Sequence, residues 1–179
     1  MLSVGIDSGA KGGFAIYSQS GVECTVLCAV LPMVDIKVNG KLRQELDTVR
    51  LAGWIGVLPM DAAIVLEKLG ASRPQRRQNK DGSEVVTGVS SQWAQAKMYG
   101  EIEALVKTSG KKYILVSPQK WKNKLGVTSD KQTSIAACQR LFPGVSLLAT
   151  PRSRKPHDGM AEACLLAYYG TIATVRGRD

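Results

Sequence analysis

The chain has 179 residues, 44% hydrophobic and 22% charged, which suits one globular domain, residues 1–179, able to bury a core. No apolar run reaches the roughly 18 residues of a membrane span, and MLSVGIDSG has neither a charged n-region nor a small-residue cleavage site, so a soluble protein is expected, in the cytoplasm of a bacterial or phage-infected cell or in an organelle. Lys plus Arg is 24 against 15 for Asp plus Glu, a net charge of +9, and this excess points either to a polyanionic partner or to a merely soluble basic surface.

In chain order, LSVGID (2–7) reads as an apolar strand ending in an acid. SGAKGG (8–13) is a turn, FAIYS (14–18) a returning strand and ECTVLCAVLPM (23–33) a third, forming an antiparallel meander. Residues 34–44 are polar, with Asn39-Gly40 a hairpin-type turn. ELDTVRLAGWIGVL (45–58) carries Leu46, Val49, Trp54 and Leu58 at helical spacing, and AAIVLEK (62–68) is a buried strand ending in Glu67. Residues 69–90 lack periodicity and predict a long mobile loop, with a turn at Asp81-Gly82. A Ser-capped helix follows over 90–110, with Trp93, Met98, Ile102, Leu105 and Val106 inward. YILVSP (113–118) is a fifth strand and PQKWKNKLG a short helical turn with Pro at its start. Helices are predicted over 129–142 and 157–174. The pattern is an α/β fold: a five-stranded mixed sheet, its first three strands antiparallel, flanked by helices.

Four acids stand out. Asp7 and Glu67 end apolar strands, where ligand crevices form in α/β sheets. Asp158 and Glu162 are four apart on one face of the last helix. Asp158 alone could be a helix cap; Glu162, between Ala161 and Ala163, is harder to place in water. Clustered carboxylates raise one another's pKa unless a cation sits among them. Magnesium favours such oxygen ligands, and a pair of ions about 4 Å apart can stabilise both the attacking and the leaving oxygen of a phosphodiester displacement. Basic residues supply a footprint for nucleic acid: Arg73, Arg76, Arg77 and Lys80 in the 69–90 segment, Lys120, Lys122 and Lys124 after the fifth strand, and Arg152, Arg154 and Lys155 before the last helix. Gln92 and Trp93 could touch DNA near a cut, or Trp93 could belong to the core. His157, the one histidine, could orient a water or a phosphate, ligate metal, or simply lie at the surface beside a cap. Cys24, Cys28, Cys138 and Cys164 form no CxxC pair, so buried thiols are expected in place of a zinc site.

GIDSGAKGGFAIY, IVLEKLGASRPQ, GVSSQWAQAKMYGEIEAL, VSPQKWKNKLG and KPHDGMAEACLLAYYG together resemble the RuvC-like Holliday junction resolvases of the RNase H-like superfamily, especially the phage-type and chloroplast members. The resemblance runs from about residue 2 to residue 170. It implies a homodimer that nicks four-way branched DNA in pairs with magnesium, or manganese in its place, two ions per site, leaving 5′-phosphate ends. It also implies that Asp7, Glu67, Asp158 and Glu162 hold the metals, Asp7 bridging them. A partner branch-migration helicase is not specified by the sequence. The helix near 91–108 is the candidate dimer element. In bacterial RuvC the closing acids are three apart; here they are four apart, and Gly159 stands where the first of that pair would be. The competing readings are a nuclease without junction preference, a binding module that has lost catalysis, and an actin-like or sugar-kinase ATPase, which needs a second phosphate loop that is not found.

Overall fold

The computed structural model describes residues 1–9, 11–70, 75–78, 84–87 and 89–175, with backbone alone for 75–78, 84–87 and 174–175. Its main sheet contains β1 (Leu2–Asp7), β2 (Gly13–Ser20), β3 (Glu23–Val30), β6 (Ala63–Glu67) and β9 (Lys112–Val116), in the order β3-β2-β1-β6-β9. The first three are antiparallel; β6 pairs parallel with both β1 and β9. This is the expected mixed sheet. β4 (Met33–Val38) and β5 (Lys41–Leu46) precede α1 (Thr48–Gly56), and β7 (Gln75–Gln78) and β8 (Glu84–Thr87) precede α2 (Val89–Thr108). α3 (Pro118–Leu125), α4 (Lys131–Leu141) and α5 (Asp158–Val175) complete the chain.

The side-chain alternation of a strand sorts the core into two halves. Val4 and Ile6 of β1, with Ile64 and Leu66 of β6, pack with Leu51 and Ile55 of α1 and Met98, Ile102 and Val106 of α2. The alternate positions face α5, whose residues 163–167 are fully buried. That helix is apolar nearly all round because α3 and α4 cover its outer side. It also lies unusually close to the sheet. A Cβ on Gly5 would stand 2.1 Å from the Ala163 carbonyl oxygen, and one on Gly159 would stand 1.9 Å from that of Lys11. Glycine at these positions lets helix and strand backbones touch.

Several local expectations are corrected. The third strand ends at Val30, and residues 33–46 form the β4–β5 hairpin. Asn39 (φ 50°) and Gly40 (φ 78°) supply the two positive φ values of its tight turn. Leu46 is therefore a strand residue, and α1 starts at Thr48, with the Asp47 side chain accepting from the Arg50 N–H at 2.9 Å. Val49 turns outward while Leu51 and Ile55 are buried. Within the predicted 69–90 loop, β7 and β8 pair antiparallel, Gln75 opposite Thr87; the turn expected at Asp81-Gly82 lies outside the described residues. α2 begins at Val89, so Ser90 and Ser91 sit in its first turn. Trp93 is 66% exposed and belongs to no core, and Cys24 is exposed whereas Cys138 and Cys164 are buried. No helix among the described residues is long and apolar enough to cross a membrane.

Candidate active site

Alternation also decides where the first two acids point. Ile6 and Leu66 are paired across β1 and β6 and face α1 and α2. Asp7 and Glu67, one residue further on, therefore face α5 from the C-terminal ends of adjacent parallel strands. The contact of Gly159 with the β1–β2 turn fixes the start of α5 over this edge, bringing Asp158 and Glu162 to it.

Asp7 is 7% exposed, and its Oδ1 accepts from the Gly9 N–H at 3.0 Å. Burial raises its pKa from 3.8 to about 7, and the charges of Glu162, Glu67 and Asp158 push the same way against the Gly9 bond. Glu67 Oε2 accepts from the indole N–H of Trp121 at 2.5 Å. Burial and Glu162 still hold the Glu67 carboxyl above its ordinary range, although Trp121 and Lys122 pull it down. Glu162 Oε1 accepts from Lys122 Nζ at 2.8 Å and from Ser134 Oγ at 3.0 Å. Asp158 Oδ2 is paired with Lys131 Nζ. Burial would raise Asp158, but the Lys131 bond and charge outweigh it and its pKa is lowered.

No group of three His, Cys, Asp or Glu side chains among the described residues is arranged to hold a metal ion as it stands. The donor set nevertheless suits one. It consists of carboxylate oxygens, the ligands of a hard divalent cation. Their mutual repulsion, felt most by Asp7, is what such a cation relieves.

No protein-family model matches the sequence, and no curated protein matches it. Solved structures do. Thermus thermophilus RuvC in complex with a Holliday junction substrate aligns over 99% of this chain and 97% of its own, with a TM-score of 0.51 at 12% identity. A second Thermus thermophilus RuvC structure aligns over the same shares with a TM-score of 0.55, also at 12% identity. The chain has the RNase H-like fold of RuvC.

Gly159 is pressed on the Lys11 carbonyl, so no side chain fits at this position, and the nearest acid before it is Asp158. His157 caps the same helix: its Nδ1 accepts from the Met160 N–H at 3.3 Å. Burial lowers its pKa, helped by Lys11 and Lys131 and opposed by Asp158.

The basic candidates divide. Lys120, Lys124, Arg152, Arg154 and Lys155 are exposed, on α3 and on the approach to α5. Lys122 is not a surface contact but a half-buried partner of Glu162, with its ammonium 5.1 Å from the Trp121 ring centroid. Arg76 and Arg77 lie on β7, Arg73 and Lys80 lie outside the described residues, and Gln92 is half-buried on α2. Sequence reading missed Trp121, Lys131, Ser134 and the inward role of Lys122. A signal existed for Trp121 and Lys122: Ser117-Pro118 starts a helix directly after a strand that neighbours the Glu67 strand, so its first turns cover the same sheet edge.

Proposed function

We propose that this chain is a structure-selective endonuclease of the RuvC type, nearest to the phage-type and chloroplast members. It resolves four-way (Holliday) DNA junctions by paired phosphodiester hydrolysis that leaves 5′-phosphate ends. The observation that carries this reading is the convergence of Asp7, Glu67, Asp158 and Glu162 at one sheet edge of a RuvC fold. Those acids would hold magnesium, or manganese in its place, which when bound would supply positive charge for the attacking and leaving oxygens. The protein's own part is placement: the β1 and β6 ends fix Asp7 and Glu67, and α5 fixes the other two. Trp121 holds Glu67 in orientation through its N–H. The exposed Lys120, Lys124, Arg152, Arg154 and Lys155 would bind phosphates along the duplex arms, and Arg73, Arg76, Arg77 and Lys80 would reach the junction's centre.

Paired nicks call for two sites, and a twofold homodimer provides them. Its surface on this chain would be the groove of about 800 Å³ between α2 and the β4–β5 hairpin, lined by Met33, Leu46, Trp93 and Met98. The test is cleavage of a synthetic four-way junction beside linear duplex of the same sequence, in magnesium. Symmetric nicks confined to the junction, abolished by Asp7→Asn, are expected. Equal cutting of both substrates would replace this reading with a general nuclease, and wild-type cutting by Asp7→Asn would remove the site assignment.

A further inference from the structure

A lysine on a soluble protein normally aims its ammonium at water. Lys122 here aims inward at the acids, and Lys131, whose side chain is 65% exposed, reaches back from the surface to Asp158. Lys122 comes from α3 and Lys131 from the first position of α4, and both close over carboxylates of α5. The Lys122 and Glu162 side chains are only 17% and 14% exposed, so this pair is well shielded from water. Glu162 Oε1 already takes two donors, Lys122 and Ser134, which leaves that oxygen little capacity for a further partner. Lys131 faces Asp158, and its charge also interacts with Glu162 and Asp7. One shielded and one largely exposed ammonium therefore pair with two of the four carboxylates, whose oxygens a divalent ion would need.

We propose that Lys122 and Lys131 are internal counter-ions of the metal-free protein, and that a divalent cation enters the carboxylate site by displacing them. The inference rests on the metal-binding reading above. An ammonium and a divalent ion compete for the same oxygens, and once the ion is bound like charges drive the lysine away. Two positive charges do not neutralise four carboxylates, so the filled site still attracts a cation. The lysines thus keep the acids together while the metal is absent and set a threshold for its entry.

Two measurements test this. In the first, manganese binding is followed by calorimetry in wild type, Lys122→Met, Lys131→Met and, as a charge control on the same helix, Lys124→Met. The first two variants are expected to bind about tenfold tighter, as removal of one charge-assisted competitor implies, and to melt earlier than wild type in chelator. Lys124→Met should do neither. In the second, wild-type protein is acylated with an amine-reactive reagent with and without magnesium, and labelling is read by mass spectrometry. Lys122 labelling should rise several-fold with magnesium while Lys124 labelling stays constant. Manganese binding by wild type with unchanged Lys122 labelling would overturn the proposal and leave the metal site standing. Absence of binding in wild type and both variants would overturn both. Displacement without junction cleavage would support the counter-ion role and count against the resolvase.

Discussion

The two faces of the sheet are built on opposite terms. On the α5 face, the helix meets β1, β2 and their turn backbone to backbone through Gly5, Gly13 and Gly159, and Gly170 lies against the Ser3 and Val65 side chains, with no room for a Cβ at any of the four. On the α1–α2 face, larger side chains separate the layers, and a groove remains open beside the exposed Trp93. A carboxylate cluster needs its members held to a fraction of an ångström, and backbone contact gives that rigidity. An associating surface needs exposed apolar area, which the other face keeps. The contrast teaches that one small fold can keep a rigid face for the carboxylates and a looser face that, on the proposed function, serves association.

The largest expected effect is on the rigid face. The folded pKa of Asp7 lies near 7 and its unfolded value near 3.8. Below pH 4 the residue is protonated in both states. Between pH 4 and 7 unfolding releases its proton, so stability falls as pH rises and levels off above 7. Asp7→Asn lacks this loss. In chelator, wild type should lose on the order of 4 kcal/mol relative to Asp7→Asn across that window, measured by urea denaturation at several pH values.

Next comes Gly159→Asp, which imposes the bacterial three-residue spacing. With the Lys11 oxygen 1.9 Å from the new Cβ, it should cost about 3 kcal/mol or more, read from the denaturant midpoint. Trp121→Phe keeps the ring volume near Glu67 but deletes the N–H. It should cost about 2 kcal/mol and raise the Glu67 pKa, seen by carboxylate NMR titration. On the looser face the effects shrink and change sign. Gly53→Ala, with nothing within 4 Å of its Cβ on α1, should stabilise by about 0.5–1 kcal/mol. Trp93→Ser should leave the melting temperature nearly unchanged and abolish dimerisation in sedimentation; a persistent dimer would move the interface off this groove.

What was legible in the sequence follows the same division. The main sheet was readable because each of its strands is a compact apolar run, and the ends of two of these runs gave Asp7 and Glu67. Asp158 and Glu162 were readable because an acid in an apolar helix is conspicuous. The β4–β5 hairpin was missed although VDIKV (34–38) alternates apolar and polar residues and Asn39-Gly40 marked its turn; the charged residues among them read as a polar connection, and both strands are largely exposed. Val49 was misread because its spacing fitted a helix that begins two residues after Leu46. Lys131 was illegible as a site residue because lysine in a basic stretch reads as surface; Lys122 was passed over for the same reason, although its place just after the fifth strand signalled it.

The bond from Trp121 to Glu67 has a spectroscopic consequence. Trp121 is fully buried with its indole N–H on a carboxylate, Trp54 lies edge-on to Phe14 at 5.4 Å, and Trp93 stands in solvent. The three emitters therefore occupy three distinct environments. A quencher in solution reaches Trp93 and spares Trp121, and emission from a protein carrying both Trp54→Phe and Trp93→Ser reports on the ring beside Glu67 alone. Through that one ring the protein carries its own optical gauge of the charge state at the carboxylate edge.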